Sequence, residues 1–324
     1  MSLGTTLPQP SSSFPQVDVH LLQIRDLVYN FSGIYQPENR LRFLEDRCAR
    51  RMLKLGLGSL REYFEHLTIG AARAAEVNEL LNELTVGETC FFRNQPQLDA
   101  FQQSVLPMVL GNKASLPVKR IRIWSAGCST GEEPYTLAML LLEHKMGMLR
   151  NCSFEVLATD LNQRSLKEAE AGVYGEYSTR NVSQYFRGKY FLPEGDKLRI
   201  SELPRSLVRF SRLNLLDDGA MTFLKGIDVI FCCNVLIYFD SASKRRVIQH
   251  FYNNLLPNSF LFLGHSESLF GVNQDFQMLQ LPGSAAYMKA GASASTPQGC
   301  ISSASAAAGL VQAGSAGRAP RREI

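Results

Sequence analysis

The 324-residue chain lacks most features that would commit it to a specialised setting. No apolar run is long enough to cross a bilayer: the longest, around 227–239, is interrupted and falls short of the roughly 20 residues a spanning helix needs. The N-terminus has no basic-then-apolar leader pattern, so a cytoplasmic protein with no direct membrane insertion is expected. The seven cysteines (Cys48, Cys90, Cys128, Cys152, Cys232, Cys233 and Cys300) are odd in number, irregular in spacing and without a Cys-x-x-Cys pair. That argues against a disulfide framework or a zinc site and fits a reducing compartment. An excess of one sign of charge is nearly absent as well. A formal net charge of +4 gives no argument for nucleic acid. What remains is 45% apolar and 20% charged residues, the composition of a soluble globular protein of one large or two ordinary domains.

Residues 1–15 are rich in Pro, Ser and Thr and read as disordered; 291–324, rich in Ala, Ser and Gly, read as a flexible tail. Between 16 and 84 every periodic segment is helical, which predicts a small helical domain. Residues 85–94, containing "TVGETCFFR", form a linker with unusual aromatic content. "QPQLDAFQQSVLPMVL" follows as a helix. Over 95–290, apolar runs at 121–125, 154–159, 227–232 and 259–264 alternate with helical patterns, which predicts an α/β domain with a mostly parallel sheet. About 173–205 the pattern breaks into dense aromatics and a Pro-Glu-Gly-Asp turn, a small hairpin-like insertion. "FQMLQ" and "GSAAYMKA" read as a closing antiparallel hairpin.

"IRIWSAGCSTGEEPYTLAMLL", 121–141, reads as strand, tight turn and helix, the usual seat of a nucleotide-like ligand. Gly127 and Gly131 do not complete G-x-G-x-x-G, and no Gly-Lys-Ser/Thr follows. Glu132 and Glu133 stand at the helix start instead, where an anion gains roughly 0.3–1 kcal/mol from the dipole. They would repel a pyrophosphate and suit a cationic ligand such as S-adenosylmethionine; equally, they are good first-turn acids for the helix alone. Asp160 ends the next strand, where an acid accepts hydrogen bonds from ribose hydroxyls or caps the following helix. "GHSES" lacks the second glycine of a nucleophile elbow, so His265 reads as a structural histidine near the fifth strand.

Six segments in one order, "TVGETCFFR", "RIWSAGCSTGEEPYTLAMLL", "ATDLN", "LNLLD", "DVIFCCNVLIYFD" and "LFLGHSESL", resemble the CheR family of chemotaxis receptor methyltransferases across about residues 18–289. The resemblance implies a Rossmann-like S-adenosylmethionine-dependent methyltransferase sheet, an N-terminal all-helical domain and a small inserted antiparallel β-subdomain. It implies methyl transfer to glutamate carboxylates on the cytoplasmic helical bundle of methyl-accepting receptors, leaving S-adenosylhomocysteine. By motif, Gly87, Thr89 and Arg93 fall in a linker covering the cofactor. Glu133 meets the methionine amino group, and Asp160 the ribose. Asn214 and Leu215 flank the adenine. Cys233 and Asn234 lie beside the methionine moiety, and Tyr238 points at the reacting methyl. Gly87 stands where the family commonly has Asn, and Cys233 where it commonly has Arg.

A carboxylate is already ionised near neutral pH, so transfer needs alignment more than a base. Arg93 and Tyr238 suit that task, although each also has a plain reading, as a surface ion pair and a core aromatic respectively. On a helix of about 100° per residue, Arg40, Arg47, Arg51 and Lys54 fall within roughly 60° of one another, a basic ridge for receptor docking or a solvated face. Some family members grip a receptor tail peptide on the β-subdomain; the short turn in "YFLPEGDKLRIS" points to one that does not. A monomer is expected. A small-molecule methyltransferase and a non-catalytic cofactor-binding module remain alternatives.

Overall fold

A computed structural model describes residues 17–291, apart from Val86 and Phe223. The expected disordered start and flexible tail lie outside the described residues, Gly291 excepted. Four helices come first: α1 (Val19–Ser32), α2 (Leu41–Leu55), α3 (Leu60–Thr68) and α4 (Arg73–Leu84). Their ends follow local chemistry. Asp18 accepts from the His20 amide and Ser59 from that of Glu62, satisfying first-turn donors, and α2 stops at Gly56 with φ 69°. Leu21, Ile24, Val28, Leu44, Cys48, Tyr63 and Leu80 close a core of their own.

The chain then runs through α5 (Gln95–Ala100) and α6 (Leu106–Asn112), joined by a π-type widening over Phe101–Val105. The sequence predicts one regular helix here. Pro107 has no amide hydrogen and its ring crowds the preceding turn, which is where the ladder widens.

The main sheet follows: β1 (Lys119–Ala126), β2 (Cys152–Asp160), β6 (Val208–Arg212), β7 (Ile227–Cys232), β8 (Leu255–Leu263), β9 (Phe276–Leu281) and β10 (Ser284–Lys289). Its order is β6-β2-β1-β7-β8-β10-β9. The first five run parallel; β10 is antiparallel to β8 and β9 to β10. Period-2 alternation splits the apolar side chains between two faces. Ile121, Ile123, Val156, Val229, Phe231, Phe260 and Phe262 join one core, and Trp124, Ile230, Cys232, Leu261 and Leu263 the other. Each fully buried Phe, Leu or Ile contributes roughly 1.5–3 kcal/mol over leaving it exposed. Trp124 is wholly buried, its Nε1 donating to Thr159 Oγ1 at 2.9 Å. β6 is invisible to sequence patterning because, as an edge strand, "VRFSR" buries only Val208.

Between strands lie α7 (Glu132–His144), α8 (Gln163–Ala171), α12 (Asp218–Met221) and α13 (Ser241–Asn254). The insertion comprises β3 (Val173–Tyr174), α9 (Glu176–Thr179), α10 (Gln184–Tyr190), β4 (Phe191–Glu194), β5 (Lys197–Ile200) and α11 (Glu202–Arg205). Its antiparallel sheet, β3-β5-β4, has three strands where the sequence suggests a single hairpin. The order in which the chain adds strands to the sheet reverses at β1, flanked by β2 on one side and β7 on the other, and a crevice opens beyond the strand ends there.

Candidate active site

The crevice is a cavity of about 520 Å³ beyond the ends of β1, β2, β7 and β8. All ten residues expected at the cofactor or the reacting methyl line it: Gly87, Thr89, Arg93, Glu133, Asp160, Asn214, Leu215, Cys233, Asn234 and Tyr238.

Its floor is the turn after β1. Gly127 holds φ 79°, and a Cβ there would stand 2.4 Å from Val235, so the loop admits no side chain. Of the two adjacent glutamates, only Glu133 faces the cavity. Glu132 is 1% exposed and turned away, accepting from Thr130 Oγ1 at 2.7 Å. Glu133 accepts from Ser125 Oγ at 2.6 Å. Burial pushes its carboxyl up, against the Ser125 hydroxyl, the Cys233 thiol and then the Arg93 charge. Asp160 accepts the amides of Ser129 at 2.8 Å and Asn162 at 2.7 Å, so it ties the glycine loop to the second strand. Burial raises its pKa too, with those amides opposing.

The roof is the linker. Arg93 Nη1 donates to Glu88 O at 2.9 Å and its side chain is exposed. The insertion braces this segment: Tyr177 Oη donates to Glu88 Oε1 at 2.9 Å, the Phe91 amide to Ser178 O at 3.0 Å, and the Phe91 ring meets Tyr174 edge-on at 4.8 Å. From the helical side, the Tyr35 amide donates to Tyr238 O at 2.9 Å, and Asn214 Nδ2 donates to Phe31 O at 2.7 Å. Tyr238 is half-buried, and burial raises its pKa against the positive charges of Arg40 and Arg93.

Of the described residues with positive φ other than glycine, Phe92 (53°), Ser129 (50°) and Asn234 (62°) line this cavity and only Asn258 lies elsewhere. Backbone strain of that kind, of order 1–3 kcal/mol each, persists where surroundings over-determine it.

Two family models cover nearly all of the described chain: CheR methyltransferase, all-alpha domain, over residues 20–85, and CheR methyltransferase, SAM binding domain, over 87–284. The chain belongs to the CheR methyltransferase family. Chemotaxis protein methyltransferase 2 of Vibrio cholerae is 35% identical over 273 residues, 84% of this chain and 93% of the relative. The chemotaxis protein methyltransferase of Borreliella burgdorferi is 34% identical over 252 residues, 78% of this chain and 88% of the relative. That of Klebsiella aerogenes is 31% identical over 280 residues, 85% and 92% respectively.

This CheR chain is therefore an S-adenosylmethionine-dependent methyltransferase. The cavity suits that cofactor. Glu133 and Asp160 are carboxylates set into its floor, and neither enters an ion pair among the described residues. A half-buried carboxylate that no cation pairs directly is costly to keep charged, and a ligand bearing ammonium and sulfonium groups supplies a cation. Among the described residues no cluster of His, Cys, Asp or Glu is arranged to hold a metal, and no helix is long and apolar enough to cross a membrane.

The two departures from the common CheR pattern have local counterparts. A Cβ on Gly87 would stand 2.7 Å from Ser129 Oγ, so the hydroxyl takes the space a side chain needs. Cys233 Sγ donates to Gln97 Oε1 at 3.3 Å, and burial beside Glu133 keeps the thiol protonated. Gln97, 5% exposed, also donates to Leu263 O at 2.8 Å. Gln97, Ser125 and Ser129 carry no mark in the sequence; small or amide side chains at strand ends give little signal alone.

His265, read as a structural histidine near the fifth strand, stands just after β8 and is exposed at the cavity mouth. One expectation is corrected. The basic ridge on α2 does not exist as a set of four. Arg51 is 7% exposed and turned into the helical core, where Nε and Nη2 reach the two oxygens of Glu76 at 2.8 and 2.7 Å. Lys54 is exposed but lies 3.4 Å from Glu83. Arg40, which precedes α2, and Arg47 are half-buried, their guanidinium carbons 5.1 and 4.3 Å from the Phe43 ring centroid.

Proposed function

We propose that this enzyme methylates glutamate side chains on the cytoplasmic helical bundle of methyl-accepting chemotaxis receptors, giving glutamate methyl esters. The names of its relatives, chemotaxis protein methyltransferases, support the setting. The observation that carries the reading is the sorting of charge across one cavity. Glu133 and Asp160 make the floor acidic, whereas at Tyr238 the positive charges of Arg40 and Arg93 outweigh the weaker negative ones of Asp160 and Glu88. An anionic acceptor is drawn to the cationic side, opposite the seat of a cationic donor.

When bound, S-adenosylmethionine supplies a methyl group activated by its sulfonium. Glu133 holds the ammonium end, Asp160 the ribose hydroxyls, and Asn214 with Leu215 the adenine. Thr89 and Asn234 close around the methionine portion, beside Gly87 and Cys233. Arg93 receives the acceptor carboxylate with fixed geometry, and the Tyr238 hydroxyl donates one hydrogen bond that orients it. No general base is required, because a glutamate of ordinary pKa near 4.3 is ionised at working pH. Alignment and water exclusion supply much of the acceleration, up to roughly 7–11 kcal/mol in favourable intramolecular reactions. Arg40, just before α2, and Arg47 on it, both half-buried about Phe43, are the members of that basic set left to meet glutamate-rich receptor helices; Arg51 takes no part, and Lys54 is held near Glu83. The enzyme works as a cytoplasmic monomer.

Incubation with tritiated S-adenosylmethionine and receptor cytoplasmic fragments tests this. Base-labile label on the fragments is expected. Its absence, from protein that binds S-adenosylhomocysteine normally, overturns the substrate assignment.

A further inference from the structure

The "GHSES" stretch holds a residue that the chemistry above does not use. We propose that Glu267 is a positioning residue for the cofactor and the acceptor, acting through the backbone of the loop after β7. Its carboxylate stands where the ends of β7 and β8 leave amides without strand partners. Oε2 accepts from Asn234 N and Gly264 N, both at 2.8 Å, and Oε1 accepts from Ile237 N at 3.3 Å. One side chain thus ties both strand ends together and reaches the turn Leu236–Tyr238.

Each contact has a consequence for the cavity. Asn234 holds φ 62°, a conformation that a non-glycine residue keeps only under constraint, and Asn234 N is one of the amides held by Oε2. Ile237 precedes Tyr238, so the Oε1 contact sets the turn that presents the tyrosine. Gly264 is explained as well. A Cβ there would stand 2.7 Å from Glu267 Oε2 and 2.9 Å from Asn234 N, so the strand end must be bare for the clamp to form. The Glu267 amide itself donates to Gly264 O at 2.9 Å, closing the tight turn that brings the carboxylate back. His265 and Ser266 are exposed members of that turn.

The two oxygens make different substitutions informative. In Glu267→Gln the amide oxygen can keep the Asn234 and Gly264 pair, but the NH₂ group then opposes the Ile237 amide. In Glu267→Ala all three amides lose their acceptor. The full chain is compared as wild type, Glu267→Gln and Glu267→Ala. S-adenosylhomocysteine affinity is read by calorimetry, backbone exchange of 233–239 in ligand-free protein by mass spectrometry, and methyl transfer on receptor fragments.

For Glu267→Gln, affinity within about threefold of wild type and transfer reduced at least about tenfold are expected, since only the weaker contact is lost. For Glu267→Ala, exchange at least about tenfold faster and affinity at least about tenfold weaker are expected. Wild-type exchange and affinity in Glu267→Ala would overturn the proposal. Should that variant not fold, wild-type affinity together with wild-type transfer in Glu267→Gln overturns it. The transfer measurement rests on the receptor-glutamate reading, whereas exchange and affinity do not. Wild-type protein that fails to label receptors therefore refutes that reading, and the role of Glu267 is then decided by exchange and affinity alone.

Discussion

Arg51→Ala separates a structural arginine from a docking one on the same helix. The substitution removes a guanidinium that grips both Glu76 oxygens at 2.8 and 2.7 Å. Arg51 and Glu76 are 7% and 5% exposed, and the fully buried Tyr63 hydroxyl adds a further donor to Glu76 at 2.9 Å. Glu76 in turn raises the Arg51 pKa above its already high value, so the pair stays ionic on the arginine side at any working pH. Breaking a buried pair by removing one partner costs about 3–5 kcal/mol, which at about 2–4 °C per kcal/mol lowers the melting temperature by about 6–20 °C. Joint replacement by Arg51→Met, Glu76→Met and Tyr63→Phe is expected to recover most of that loss, because the desolvation cost of the charges goes with them. The assay is a far-ultraviolet ellipticity melt of the full chain. If Arg51→Ala melts within about 2 °C of wild type yet no longer labels receptors, the arginine serves docking and its structural role is refuted.

Asp160→Ala is expected to weaken S-adenosylhomocysteine binding by roughly 10- to 100-fold, the loss of charged hydrogen bonds, and calorimetry giving an unchanged affinity refutes it. Burial raises the Glu133 pKa, so affinity falls as pH drops through that raised value and the carboxylate is neutralised; ligand-free stability moves oppositely, rising over the same window down to the ordinary carboxylate range, because the folded state there binds the extra proton. Calorimetry and melts across pH should lose both components in Glu133→Gln; persistence of both excludes Glu133 as their source. Gly87→Asn brings a Cβ to 2.7 Å from Ser129 Oγ and should lower affinity roughly fivefold or more, with recovery on adding Ser129→Ala; failure to recover points to another cause. A receptor tail peptide should give no saturable heat. β4 is a four-residue edge strand, and Pro193 lies beside the Glu194–Lys197 pair that closes the turn, so its missing amide hydrogen falls on the open edge where an added strand would bind.

What sequence could reveal here tracks how local the physics is. The strands β1, β2, β7 and β8 announce themselves because their apolar residues are consecutive or alternate within a few positions. The ten cavity residues were legible for a different reason, the order of six motifs. The insertion was only half legible: its turn is local, but the pairing of β3 with β5 joins residues more than twenty positions apart. Arg51 is the clearest failure. A helical wheel places it beside Arg47 and Lys54, but nothing on α2 reveals that Glu76, from α4, meets it in the core. Glu267 was hidden likewise, since its partners are backbone amides that leave no mark in the side-chain alphabet.

Trp124 turns the architecture into an optical asymmetry. It is the chain's one tryptophan, wholly enclosed in β1 against the Phe251 ring at 5.2 Å. The helices at 19–84 contain none. Indole emission from the unlabelled protein therefore reports wetting of the sheet, while loss of the helical domain is silent in that signal and visible only in ellipticity. Two melts recorded on one sample resolve which half yields first. They also reveal whether stabilisation by a bound ligand stays with the sheet or, through Tyr35 and Asn214, spreads to the helices it leans on.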